Sequence, residues 1–158
     1  MTRLTQTVQS RASIASPFIE RCATRFSPAE IRQAIAEMVT YNHMDMAHAL
    51  CEAGLSLYPE SEDIVSISAL LAELDQDWQT AQQHLEKLLE LQGEHSQPLT
   101  WRHLIRVVRC QLDPQQALDL AKKATSIHPD DSDLKGELND LLDVSAQVVL
   151  SRAAHMSH

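Results

Sequence analysis

Apolar side chains recur at the three- and four-residue steps of an α-helix along most of this chain. Trp101, Leu104, Ile105 and Val108 make one such stripe, and Ala117, Leu118, Ala121 and Ala124 make the next. Leu134, Leu138, Leu141, Leu142, Val148 and Val149 make a longer one reaching about Ala153. Turn chemistry separates the stripes. Ser27-Pro28, with Glu30 following, reads as an N-cap with proline at the first helical position. The helix it opens runs to about Tyr41. Asn42-His43 then turns the chain, and a second helix covers about Asp45 to Leu57 before Pro59 stops it. The plan repeats. Ser61-Glu62-Asp63 caps a helix from about Glu62 to Leu74, Asp75-Gln76-Asp77 turns, and Trp78 to Gln92 forms the partner, with Gly93 at its C-terminal cap. Pro98 opens a third pair, Leu112-Asp113-Pro114 turns it, and His128-Pro129 ends it. The last stripe, beginning at Asp130-Asp131-Ser132, reads as one long helix without a partner.

These pairs keep a beat. Ala81 lies 34 residues after Ala47 and 36 before Ala117, and Pro59 and Pro129 each follow their alanine by 12. Such a period predicts stacked helical hairpins. One hairpin cannot bury its own apolar stripe, so neighbours must cover it and a last helix must cap the open end. Leu85, Leu88, Leu89, Leu104, Ile105 and Val108 are the expected centre. Before Ser27 the pattern weakens. Residues 2–15 could form an amphipathic helix with Leu4, Val8, Ala12 and Ala15 on one face, and Pro17 could open a shorter one with Phe18, Ile19, Cys22 and Phe26. This arm is polar enough for partial disorder, or could dock on the repeats or on a second subunit.

The pattern resembles the tetratricopeptide repeat. Trp101 and Leu104 match the family's W-x-x-L, and Asp77-Trp78-Gln79-Thr80-Ala81 and Asp113-Pro114-Gln115-Gln116-Ala117 match its turn leading to a small residue. Pro59 and Pro129 match its terminal proline. Ala69 suits the small position of a first helix, whereas Ile35 and Ile105 stand there in the outer units, and Gly93 replaces the second proline. The resemblance implies an all-α fold, an α-α superhelix of three hairpins over residues 28–129 (units of about 28–61, 62–97 and 98–131), with an arm at 1–27 and a capping helix and tail at 132–158. It also implies a concave groove lined by the first helix of each unit, holding a segment of another protein.

Composition narrows the picture. At 158 residues the length is that of one domain, and apolar residues at 44% suffice for a core although aromatics are only 4%. Three glycines leave little for phosphate loops or tight β-turns. The net charge of −9 argues against nucleic acid, which needs a basic surface. The charge is uneven, with residues 1–27 at +3 and the remainder at −12. That Arg-, Ser- and Thr-rich start superficially suits a transit peptide. No run approaches the ~20 apolar residues of a membrane span. Cys22, Cys51 and Cys110 form no C-x-x-C pair, and their odd number fits a reducing cytoplasm. Cys51 and Cys110 fall on apolar faces and are expected to be buried.

The groove register places Arg32 with Ala29, Ala36 and Val39 in the first unit, and Ser66, Leu70 and Glu73 with Asp63 in the second. In the third it places Arg102, Arg106 and Arg109, whose spacing of four then three puts them on one helix face. Guanidinium forks suit a partner's acidic or C-terminal carboxylate segment. The bland reading is that these arginines pair with Asp63 or Glu73, or face solvent. Ala36 and Ile67 stand where family members that clamp heat-shock chaperone tails carry asparagine, which disfavours that partner. His43 with His48, and His155 with His158, lack the supporting ligands of a metal site. No nucleophile motif or catalytic triad order occurs, so neither an enzyme nor a cofactor is expected. The chain reads as a cytoplasmic adaptor or chaperone. Its layout is similar to bacterial type III secretion chaperones of the tetratricopeptide class. The alternative is a self-associating scaffold or subunit of a larger assembly, for example a homodimer through the arm.

Overall fold

The computed structural model describes residues 23–155, with side-chain surroundings described to residue 147. The expected first arm helix, most of the second and Cys22 lie outside the described residues, as do the surroundings of Val148, Val149, His155 and His158. The end of the arm is described and docks, with Ala23 1% exposed in the core beside Ile31 and Ile35, Tyr58 Oη donating to Phe26 O at 3.0 Å, and the Phe26 side chain half exposed. Seven α-helices run from Pro28 to His155: α1 Pro28–Thr40, α2 Met44–Leu57, α3 Glu62–Leu74, α4 Trp78–Gln92, α5 Pro98–Cys110, α6 Pro114–Ile127 and α7 Ser132–His155. A 3-10 turn, Gly93–His95, links α4 to α5. No strand occurs among the described residues. The fold is all-α, and the helix limits match the hydrophobic pattern closely.

Caps explain where the helices begin. Ser27 and Glu30 form a reciprocal capping box, in which the Ser27 hydroxyl accepts from Glu30 N–H at 3.3 Å and the Glu30 carboxylate accepts from Ser27 N–H at 2.8 Å. Asp77, Asp113 and Asp131 accept from the N–H groups of Thr80, Gln116 and Leu134, each meeting one orphan donor. Ser61 stands at the N-cap of α3 but makes no side-chain cap bond; Glu62 and Asp63 supply negative charge to that first turn instead. The hairpin turns share one device. Asn42, Gln76 and Leu112 take φ of 60°, 61° and 61°. In the first and third turns the next residue's N–H reaches back to the same register, His43 to Met38 O and Asp113 to Val108 O. The left-handed residue thus ends each helix without glycine.

By compactness the chain divides into two units, Met1–Asp75 and Gln76–His158, the division falling at the turn of the second expected hairpin. In the first unit α1 packs along α2, and α3 lies against both. Ile31, Ile35, Ala47, Ile64 and Leu71 are 2% exposed or less and form the core with Cys51. A Cβ on Gly54 would stand 3.2 Å from Ile64 Cδ1, so glycine lets α2 approach α3 there. The Cys51 thiol lies 3.0 Å from Ser68 Oγ. Ser68 gives its own proton to Ile64 O at 2.7 Å, which makes the thiol the donor of the pair.

In the second unit α4 packs on α5, α5 on α6 and α6 on α7, and α7 also reaches α5. Leu85, Leu88, Leu104, Ile105 and Val108 are buried as expected, while Leu89 is half-buried. Ala117, Ala121 and Ala124 are fully buried along one face of α6, where small side chains permit close helix packing. Leu134 and Leu141 anchor α7, but Leu142, expected on the same stripe, is exposed. Trp101 is 5% exposed, its indole N–H donates to Ser96 Oγ at 3.2 Å, and Lys123 Nζ stands 5.4 Å from its ring centroid. Cys110, expected to be buried, is exposed, because α5 ends there and the next two residues already belong to the turn.

Candidate functional site

The stripe that buries α5 also fixes what its other side presents. With Trp101, Leu104, Ile105 and Val108 turned inward, Arg102, Arg106 and Arg109 are left on the outer face, one or two helical turns apart. Two of them meet carboxylates. Arg102 Nη1 lies 2.6 Å from Asp133 Oδ2, and Arg109 Nη1 lies 2.8 Å from Glu137 Oε2. For these two arginines the carboxylates come from α7. Arg106 Nη2 stands 3.4 Å from His103 Nδ1. Burial, and then the nearby Arg102 charge, hold the His103 imidazole below its ordinary value, so the neutral ring is favoured beside the guanidinium. Leu99, Arg102, His103, Arg106 and Glu137 line a shallow cleft of about 100 Å³.

The first unit carries a counterpart. Arg32 Nε lies 2.8 Å from Asp63 Oδ1, linking α1 to the first turn of α3. The same bond recurs 70 residues on, where Arg102 of α5 takes Asp133 in the first turn of α7. Each pair joins the fifth residue of one first-type helix to the second residue of the next. Ser66 spends its hydroxyl proton on Asp63 O at 3.0 Å. Leu70 and, one turn on, Leu74 are exposed at 38% and 50%, an apolar ledge on α3. Glu73 is only 8% exposed and presents little carboxylate surface to a guest.

The structure thus brings Arg102, Arg106 and Arg109 together in the second unit, and Arg32, Ser66 and Leu70 onto the α1–α3 side of the first. Sequence reasoning missed Asp133, Glu137 and His103. A signal for the first was present, because Asp63 follows Arg32 by the same 31 residues by which Asp133 follows Arg102. Among the described residues no three His, Cys, Asp or Glu side chains gather as a metal ion would require. Nor is any helix there long and apolar enough to cross a membrane.

No protein-family model matches the sequence, and no curated protein matches it either. Among solved structures the chain is similar to a mutant of MamA, a protein containing tetratricopeptide repeats, with a TM-score of 0.62 over 90% of this chain and 83% of that one. Identity across the match is 17%, so the likeness is one of fold: this chain has a tetratricopeptide-like helical repeat fold.

Proposed function

We propose that this chain is a non-catalytic protein-interaction module, a cytoplasmic adaptor or chaperone that holds an acidic segment of a partner on the arginine face of α5. The observation that carries the reading is the arginine face of α5. A chain of net charge −9 spends three of its 13 basic residues on one face of a single helix. Planar guanidinium forks pair carboxylates in two-point fashion, which suits them to a carboxylate-bearing segment. In the first unit Arg32, Ser66 and the Leu70 ledge offer a mixed polar and apolar surface suited to the same kind of extended guest. Helical repeats commonly use such surfaces to bind polypeptide. The narrower reading, a bacterial type III secretion chaperone, rests on layout alone: an arm, three hairpins and a capping helix.

The test is affinity purification from the native organism of the wild-type chain and of Arg106→Glu, with mass spectrometry of the proteins recovered. A partner lost from the variant at unchanged melting temperature supports the site. Equal recovery removes it. The alternative, a self-associating scaffold, draws on the contrast between residues 1–27 at +3 and the remainder at −12. Light scattering with and without residues 1–27 separates the two. A monomer in both cases favours the adaptor, and an oligomer that needs the arm favours the scaffold.

A further inference from the structure

Two carboxylates of the chain itself already stand on the arginine face. Asp133 and Glu137 lie four residues apart on α7, hence on one side of that helix, and they hold Arg102 and Arg109 at 2.6 and 2.8 Å. They are not what anchors α7. Leu134 and Leu141, at 0% and 4% exposure, do that. All four charged side chains reach solvent, with exposures between 27% and 60%. Ion pairs so placed are weakly held and screened by salt.

We infer that Asp133 and Glu137 are built-in competitors for the acidic partner, occupying Arg102 and Arg109 until guest carboxylates exchange for them. The inference rests on the reading of α5 as a site for an acidic segment. Exchange requires only side-chain movement, with α7 staying packed on α6. It also sets a threshold. A guest with one carboxylate trades one pair for another of like strength and gains almost nothing. A guest with several carboxylates, or with an apolar group for Leu99, which is 57% exposed beside the cleft, gains a surplus. The internal acids therefore reject simple anions and admit a multiply charged, amphipathic segment, a form of selectivity by competition.

The experiment is calorimetric titration at low ionic strength, with a synthetic peptide of Glu-Ala-Ala-Ala repeats as probe. Asp133→Asn/Glu137→Gln is expected to bind it about 2–30-fold more tightly than wild type, the range that two exposed pairs can supply. Asp140→Asn/Asp143→Asn makes the same charge change at exposed positions on α7 and is expected to leave affinity unchanged. Equal tightening in that control would reduce the effect to net charge and overturn the inference. If Asp133→Asn/Glu137→Gln binds no tighter while Arg106→Glu still abolishes binding, the competitor role falls and the site stands. If neither wild type nor Asp133→Asn/Glu137→Gln binds the probe, the arginine-face reading falls and takes the inference with it. Should the double variant melt early, Glu137→Gln alone serves, with a gain of about 2–5-fold expected.

Discussion

Arg102 and Asp133 meet at 2.6 Å across the start of two consecutive first-type helices, and their bond repeats the one between Arg32 and Asp63. Both pairs are partly exposed, so their strength is expected to be modest. Double-mutant cycles with Arg→Ala and Asp→Ala at either pair should give coupling of about 0.2–1 kcal/mol in low salt. Most of it should vanish in ~1 M salt, where the screening length is about 3 Å. Coupling well above that range, or indifferent to salt, would mean the pairs are structural latches and not exchangeable contacts.

Leu88 is 5% exposed on α4 and has no polar function. Leu88→Ala should lower stability by about 2–5 kcal/mol, the transfer loss plus the cavity left behind. Urea unfolding measures it. A midpoint equal to wild type would show that the site collapses without cost, and α4 would then not be packed as described.

Leu112 combines φ of 61° with 87% exposure. A side chain in the left-handed region costs about 1–2 kcal/mol, and here it contributes almost no burial in return. Glycine removes that strain but loses about 0.4–1 kcal/mol through a freer unfolded chain. Leu112→Gly should therefore raise stability by up to about 1.6 kcal/mol, visible as a higher melting temperature. A fall would show that the leucine makes a contact that outweighs its backbone strain.

Acid should destabilise the fold in two steps. Burial and the Arg102 charge hold His103 below its ordinary 6.5, and burial and Lys87 do the same for His84 against the pull of Asp77. Both rings take up protons more readily when unfolded, so their contribution is intact above pH 6.5 and is lost as pH falls through the lower folded values. Glu30, held below 4.5 by the Ser27 N–H and hydroxyl, and Asp77, held below 3.8 by Thr80, follow the same sign in a lower window. Melts from about pH 8 to about pH 3 should show both losses, and His84→Gln/His103→Gln should erase the first. An upper limb unchanged in that double variant would assign it to other groups.

Several helices were legible because they begin on local chemistry. Ser27-Pro28-Glu30, Asp77 and Asp113 cap through side chains only three residues away, and the Ala47, Ala81 and Ala117 beat follows from close helix packing. Cys110 and Leu142 were misplaced for one reason. Helical periodicity says which residues share a face, but not where a neighbouring helix stops covering it. The candidate site was half legible. The spacing of Arg102, Arg106 and Arg109 puts them on one face of any helix, whatever surrounds it.

By itself, then, the sequence determined the seven helices, their turns and the arginine face, since hydrogen bonds and side-chain periods within a helix act over a few residues. Only the tertiary structure decided that Asp133 and Glu137 pair with two arginines of that face, 31 and 28 residues along the chain from Arg102 and Arg109. A charge pair needs a distance of a few ångströms, and packing α7 on α6 is what supplies it.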